Sequence, residues 1–324
     1  MAIIFDEQNK TFTIHTEHST YQMQIDPYGV LLHLYYGRKT KGCMDYLLQK
    51  QDRGFSGNLY DAGNDRTYSL DVLPQEFPTW GTGDYRSTAL IVRGQDGTTA
   101  CDLRYRGYRI LSGKYGLSGL PAVYGAEKEA QTLEVVLEDG RTGIQVTLLY
   151  GVLPKYDVIT RSAQIINTKE NIIYLEKAAS ACLDFVTGKY DVISFYGRHA
   201  MERNYQRIPV SHGNYVIGSR RGTSSHQYSP FLILTERGNN RRCRGMLCHV
   251  LCIQRRISGG SGKRPVRAEQ NADGVAAGAV FVSSEYRRSL CHTGNRDDLQ
   301  QKRAGRAFPE SAPVFSEQSV QGPS

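Results

Sequence analysis

The chain has 324 residues, 40% of them hydrophobic and 22% charged, with a net charge of +8. That is the composition of a soluble globular protein, with length for one large domain or two ordinary ones. No apolar run approaches the ~18 residues of a membrane-spanning helix, and Asp6 and Glu7 follow Met1-Ala2-Ile3-Ile4-Phe5 with no signal-peptide pattern.

Strand signals come first along the chain. Thr11-Phe12-Thr13-Ile14-His15 and Tyr21-Gln22-Met23-Gln24-Ile25 alternate with a period of two. Asp26-Pro27-Tyr28-Gly29 is a turn, and Val30 to Tyr36 is rich in strand formers and ended by Gly37. Residues 43–48 offer at most a turn or two of helix. Further strands are expected over 89–93, 102–110, 132–137, 143–153, 158–167, 192–196 and 231–235. Many short strands with frequent turn signals predict an all-β fold, a large antiparallel sandwich.

Regularity fades after Asn240. Residues 241–324 hold 14 Lys+Arg against 7 Asp+Glu, leaving 26 and 25 for the preceding 240. Residues 255–267 pack five basic residues among Gly and Ser, and 295–306 is charged with no apolar face at either period. Two segments follow: a sandwich over 1–240 and a basic, poorly ordered tail over 241–324. Seven cysteines, four of them in that tail, show no disulfide framework, which fits a reducing cytoplasm.

Between residues 54 and 86 the chain reads Gly54-Phe55-Ser56-Gly57-Asn58, Asn64-Asp65-Arg66-Thr67-Tyr68-Ser69-Leu70-Asp71, Leu73-Pro74-Gln75-Glu76-Phe77-Pro78 and Gly81-Thr82-Gly83-Asp84-Tyr85-Arg86. With Asp26 to Gly29 and Tyr196 to Arg203, these series resemble the N-terminal domain of the family 36 glycoside hydrolases, the bacterial α-galactosidases. The resemblance runs from about residue 3 to about 240. It implies a β-supersandwich preceding a (β/α)8 barrel, and retaining hydrolysis of terminal α-galactosides. That chemistry needs two carboxylates about 5–5.5 Å apart, and in the family both lie in the barrel.

No catalytic residue is therefore assigned to this chain. Lys189-Tyr190-Asp191-Val192 echoes a nucleophile strand but lacks the family's Lys-Trp-Asp and sits in the sandwich region. As a fragment without the barrel, the chain is expected to be inactive alone, and whether it is an enzyme stays open. The alternative is a non-catalytic carbohydrate-binding or oligomerisation module.

By resemblance, three residues are candidates for sugar contact. Asp65 either accepts hydroxyl hydrogen bonds, in many relatives at a neighbouring subunit's site, or caps its own loop with Arg66. Trp80 either stacks on a sugar ring or anchors its loop. His199 stands where relatives commonly have a substrate-contacting Trp, or is a partly exposed structural histidine. No cofactor is implied. Cys243, Cys248, Cys252 and His249 lack zinc-site spacing, and Gly259 to Lys263 lacks the phosphate-loop pattern. The expected partners are α-galactosides in the full-length family and a further copy of the chain. The basic tail supports only non-specific attraction to nucleic acid, and no membrane is expected.

Where the family continues its sandwich, this chain has Gly260-Ser261-Gly262-Lys263-Arg264-Pro265-Val266. One permitted codon choice for that string, read one nucleotide later, gives Glu-Val-Glu-Lys-Asp-Gln-Tyr, a family-like strand. The expectation is a frameshift near residues 239–245.

Overall fold

The computed structural model describes residues 2–50, 52, 54, 59–117, 123, 125–185, 189–211, 213–218, 225–237, 246–251, 257–263, 278–284 and 293–300. β1 (Ile3–Asp6), β2 (Thr11–His15), β3 (Ser19–Ile25) and β4 (Leu31–Arg38) form a four-stranded antiparallel meander. Its alternation places Phe12 and Ile14 fully inside while Thr13 and His15 stay half-exposed. The turn before β4 is held by Asp26, whose Oδ1 accepts the Tyr28 and Val30 amides at 2.9 and 2.8 Å. Gly29 supplies the left-handed φ of 80° that this turn requires.

After a long connection come β5 (Leu90–Gly94), β6 (Arg104–Ser112), β7 (Gln131–Asp139), β8 (Ile144–Leu153) and β9 (Val158–Asn167). Then follow β10 (Ile173–Phe185), β11 (Tyr190–Arg198), β12 (Met201–Pro209), β13 (Gly213–Gly218) and β14 (Tyr228–Glu236). Beyond Asn240 lie β15 (Met246–Leu251), β16 (Ile257–Lys263), β17 (Gly278–Ser284) and β18 (Thr293–Gln300). One sheet has the order β13-β16-β17-β10-β5 and the other the order β12-β11-β14-β15-β18-β9-β8-β7-β6.

A single apolar core joins the three sheets, with Ile14 and Tyr21 from the meander, Leu90 from β5, Val135, Val146 and Ile159 from the large sheet, and Leu183 from β10. The expected large antiparallel sandwich is the observed architecture. The only regular turns of helix among the described residues are three 3-10 turns of three residues, one of them Asp45–Leu47 where a turn or two was expected.

The tail from 241 onward is described only in its four short strands; residues 241–245, 252–256, 264–277, 285–292 and 301–324 lie outside the described residues. Ladder hydrogen bonds are made by backbone and tolerate almost any side chain, so β9, β10, β13 and β14 can pair with these segments whatever their composition.

β13 and β5 are the edge strands of the five-stranded sheet, and β12 and β6 those of the nine-stranded one.

Candidate functional site

The connection between β4 and β5 carries Asp65, Trp80 and most of the family-like series. It is fastened at three points. Residues 74–76 run beside β4, where Glu76 donates its amide to the Leu31 carbonyl and the His33 amide bonds Pro74, at 2.9 and 2.7 Å. Leu59, Ala62, Tyr68, Leu70 and Leu73 form a small second core on Val30 and Leu32. Tyr68 donates to Asp26 Oδ2, and burial with that bond pushes its phenol well above the ordinary value.

The third fastening is Arg86. Its guanidinium donates to Asp84 Oδ1 at 2.7 Å, to the Leu70 and Leu73 carbonyls at 2.9 Å each, and to Asp184 Oδ2 of β10 at 2.9 Å. Gln75 completes the cluster through a 2.8 Å bond to Asp84. One planar, multi-donor side chain thus pins the loop to the sandwich, a task for which arginine is suited.

On this scaffold Asp65 is exposed. Its Oδ1 accepts the Thr67 hydroxyl at 2.6 Å and the Thr67 amide at 2.9 Å. Those bonds hold its carboxyl below the usual aspartate value, so it is a ready acceptor at neutral pH. Arg66 pairs with Asp52 at 3.1 Å. Trp80 leaves 46% of its surface exposed while its backbone carbonyl accepts the Cys101 amide at 2.9 Å. The adjoining Gly81 has φ 89°, and a Cβ there would meet Ala100 Cα at 2.7 Å. The loop is anchored beside β6, since Arg104 bonds the Tyr28 carbonyl at 2.6 Å and approaches Asp61 at 3.4 Å.

His199 sits elsewhere. It is exposed at the tip of the β11–β12 hairpin, beside Ala200 in a left-handed φ of 61°. Asp65 and Trp80 lie on the one β4–β5 connection, whereas His199 lies between β11 and the edge strand β12. Asp191, in the string that echoes a nucleophile strand, is buried and bound by Arg207 at 2.7 Å and Arg237 at 3.3 Å. Both ion pairs engage the Asp191 carboxylate within the sandwich. Residues 55–58 of the family-like series lie outside the described residues.

One polar centre escaped the reading of the sequence. Glu76 is fully buried, and its Oε1 accepts the hydroxyls of Tyr21 at 2.6 Å and Tyr150 at 2.7 Å, together with the Arg161 guanidinium. Its Oε2 meets His33 Nδ1 at 3.1 Å. Both carboxylate oxygens are engaged and the side chain is shut off from solvent, so the cluster holds strands together. Five residues spread from 21 to 161 leave no local spacing by which to find it. Among the described residues no group of His, Cys, Asp and Glu is arranged to hold a metal ion, and no helix is long and apolar enough to cross a membrane.

The model of the glycosyl hydrolase family 36 N-terminal domain matches residues 29–248. The chain belongs to glycoside hydrolase family 36. It is 60% identical over 250 residues to the bifunctional alpha-galactosidase/sucrose kinase AgaSK of Mediterraneibacter gnavus, a match covering 76% of this chain and 27% of that protein. The solved galactosidase domain of AgaSK superposes with a TM-score of 0.86 at 48% identity, over 93% of this chain and 42% of that one. A family 36 α-galactosidase variant, AgaA of Geobacillus stearothermophilus, was solved with raffinose; it gives a TM-score of 0.81 at 32% identity, over 91% and 41% of the two chains. The chain thus spans about a quarter to a third of the length of the curated relatives it matches. It corresponds to the N-terminal part of a family 36 α-galactosidase, and that likeness favours a fragment over a free-standing module.

Proposed function

We propose that this chain forms the N-terminal part of an α-galactosidase acting on terminal α-galactosides with retention, and that its own share is to shape the sugar site. Bond cleavage falls to a carboxylate pair outside it. The observation that carries this reading is the family match over residues 29–248, joined to an exposed, ionised Asp65 on a loop fastened at three points. A rigidly held carboxylate accepts sugar hydroxyls without paying the ordering entropy of a free loop.

Asp65 and Trp80 lie on the β4–β5 connection and His199 on the β11–β12 turn, all three exposed. In an assembled enzyme Asp65 and Trp80 would reach a neighbouring subunit's sugar and His199 the chain's own. The partners are α-galactosides of the raffinose kind and a second copy of the chain, in the cytoplasm. A chimera tests this: residues 1–240 replace the corresponding part of the AgaSK galactosidase domain. Asp65→Ala in that chimera should lower kcat/KM on raffinose about ten- to a hundredfold with Tm unchanged. An unaltered kcat/KM removes Asp65 from the sugar site.

For residues 241–324 we propose translation in a shifted frame, beginning near 239–245. The support is the jump in basic charge, the end of the family match at residue 248, and the family-like strand that one permitted codon choice for 260–266 yields when read one nucleotide later. Sequencing the gene decides it. An intact frame on both sides, with no barrel-coding sequence downstream, refutes the shift.

A further inference from the structure

A cavity of about 620 Å³ opens where β11 and β12 of the large sheet meet β13 of the five-stranded one. Small-molecule sites span about 300–1,000 Å³. On its β11–β12 side, Ser194 stands opposite Gln206 and Tyr196 opposite Asn204 in the antiparallel register. Directly opposed residues project from the same face, so a hydroxyl, an aromatic ring and two amides form one wall. Tyr215 of β13 meets that wall: its hydroxyl lies 3.1 Å from Ser194 Oγ and accepts a hydrogen bond from Gln206 Nε2. These bonds join the two sheets and hold the wall in place.

What the wall leaves unused defines the ligand. Arg198, opposite Met201, is the one charged side chain among the described residues that line the cavity. Its guanidinium makes no ion pair among the described residues; Nη2 lies 3.8 Å from the Met201 sulfur, a weak acceptor. Asn204 donates to the Met201 carbonyl at 2.9 Å and Gln206 to Tyr215, and neither amide oxygen accepts a bond among the described residues. Tyr196, Met201 and Val216 add exposed apolar surface. A guanidinium without a counter-ion selects an anion. The two amide oxygens select hydroxyl donors, and the tyrosine face takes the apolar face of a ring.

We propose that this cavity binds a hexose carrying one anionic group, a phosphate or a carboxylate. The anion sits on Arg198, hydroxyls bond Asn204 and Gln206, and the ring lies against Tyr196. His199 of the same hairpin does not line the cavity, and this charged ligand is a second one beside the neutral α-galactoside proposed above.

Isothermal titration of the full 324-residue chain tests the site with glucose 6-phosphate, glucuronate, glucose and inorganic phosphate. At least one of the two anionic hexoses should bind saturably, one per chain, about tenfold or more tighter than glucose or phosphate, neither of which offers both halves. The tighter of the two tells a tetrahedral from a planar anion. Arg198→Gln should weaken that ligand about tenfold. Val216→Trp, at an exposed position of the lining, should obstruct the cavity and serves if the first variant does not fold. Four results overturn the proposal: neither anionic hexose saturates, glucose binds as tightly as they do, phosphate alone matches glucose 6-phosphate, or a folded Arg198→Gln or Val216→Trp chain keeps the affinity unchanged.

Discussion

Arg161 of β9 and Glu76 of the β4–β5 connection form an ion pair in which both side chains are shut off from solvent. The pair is wrapped by Tyr21, Tyr150 and His33 and also bonds the Cys182 carbonyl of β10 at 3.0 Å. It therefore ties the meander, the large sheet and β10 to the segment that carries the family-like residues. Removing one partner leaves the other charge buried without its counter-charge. Glu76→Gln should cost about 3–5 kcal/mol, read as a fall in the midpoint of urea unfolding. Pairing it with Arg161→Met should cost much less than the two single changes added together.

The same carboxylate sets an acid limit. Burial alone would raise the Glu76 carboxyl, but the Arg161 charge and hydrogen bonds with His33 and Tyr21 outweigh it and hold the group below its ordinary 4.5. A group depressed by folding contributes stability above its unfolded value and loses it as pH falls through the folded one. Unfolding free energy should thus drop as pH is lowered below 4.5, and the drop should be shallower in Glu76→Gln. A pH series of denaturant titrations on both proteins checks the difference in slope.

Arg86 predicts a separable effect on the loop. Arg86→Ala strips the counter-charge from Asp84, whose side chain is wholly buried, and frees Leu70 and Leu73. The expected cost is about 3–5 kcal/mol, with new proteolytic cuts between residues 59 and 86. Arg86→Lys should recover only part, because a single ammonium cannot reach the same fork of acceptors. Mass mapping after brief protease treatment reports where the chain opens.

Much of the sandwich was legible from alternation. Thr11–His15 and Val158–Asn167 form strands with the bounds that their patterns predict, since strand formers alternate or run together there. β10 gave no such signal: its thirteen residues include Ala178, Ala179 and Ala181, small residues that suit a tightly covered central strand but carry little strand preference. β12 hid for the opposite reason, being an edge strand that reads Met201-Glu202-Arg203-Asn204-Tyr205-Gln206 with polar residues on both faces. Of the candidate site, the loop bearing Asp65 and Trp80 was legible by resemblance. Its fastening through Glu76 and Arg86 was not, because those partners lie up to 98 residues away.

The only tryptophan makes the loop easy to watch. Gly81 next to it has a left-handed φ, and an added Cβ would press on the Ala100 backbone at 2.7 Å. Gly81→Ala should therefore cost about 1–3 kcal/mol and shift Trp80 from its half-exposed position. The emission maximum of the folded variant should move, while Gly97→Ala, at a turn with nothing within 4 Å of the new Cβ, should leave the Trp80 spectrum as it was.

In the proposed division of labour, the chain lends its loops to a sugar site and leaves bond cleavage to carboxylates outside it. The most direct measurement is hydrolysis of a chromogenic α-galactoside by the purified chain, made in a host that has no α-galactosidase of its own. No turnover is expected at any concentration of the chain. Release of chromophore that co-elutes with the chain would contradict it, because a pair of catalytic carboxylates would then have to lie within these 324 residues.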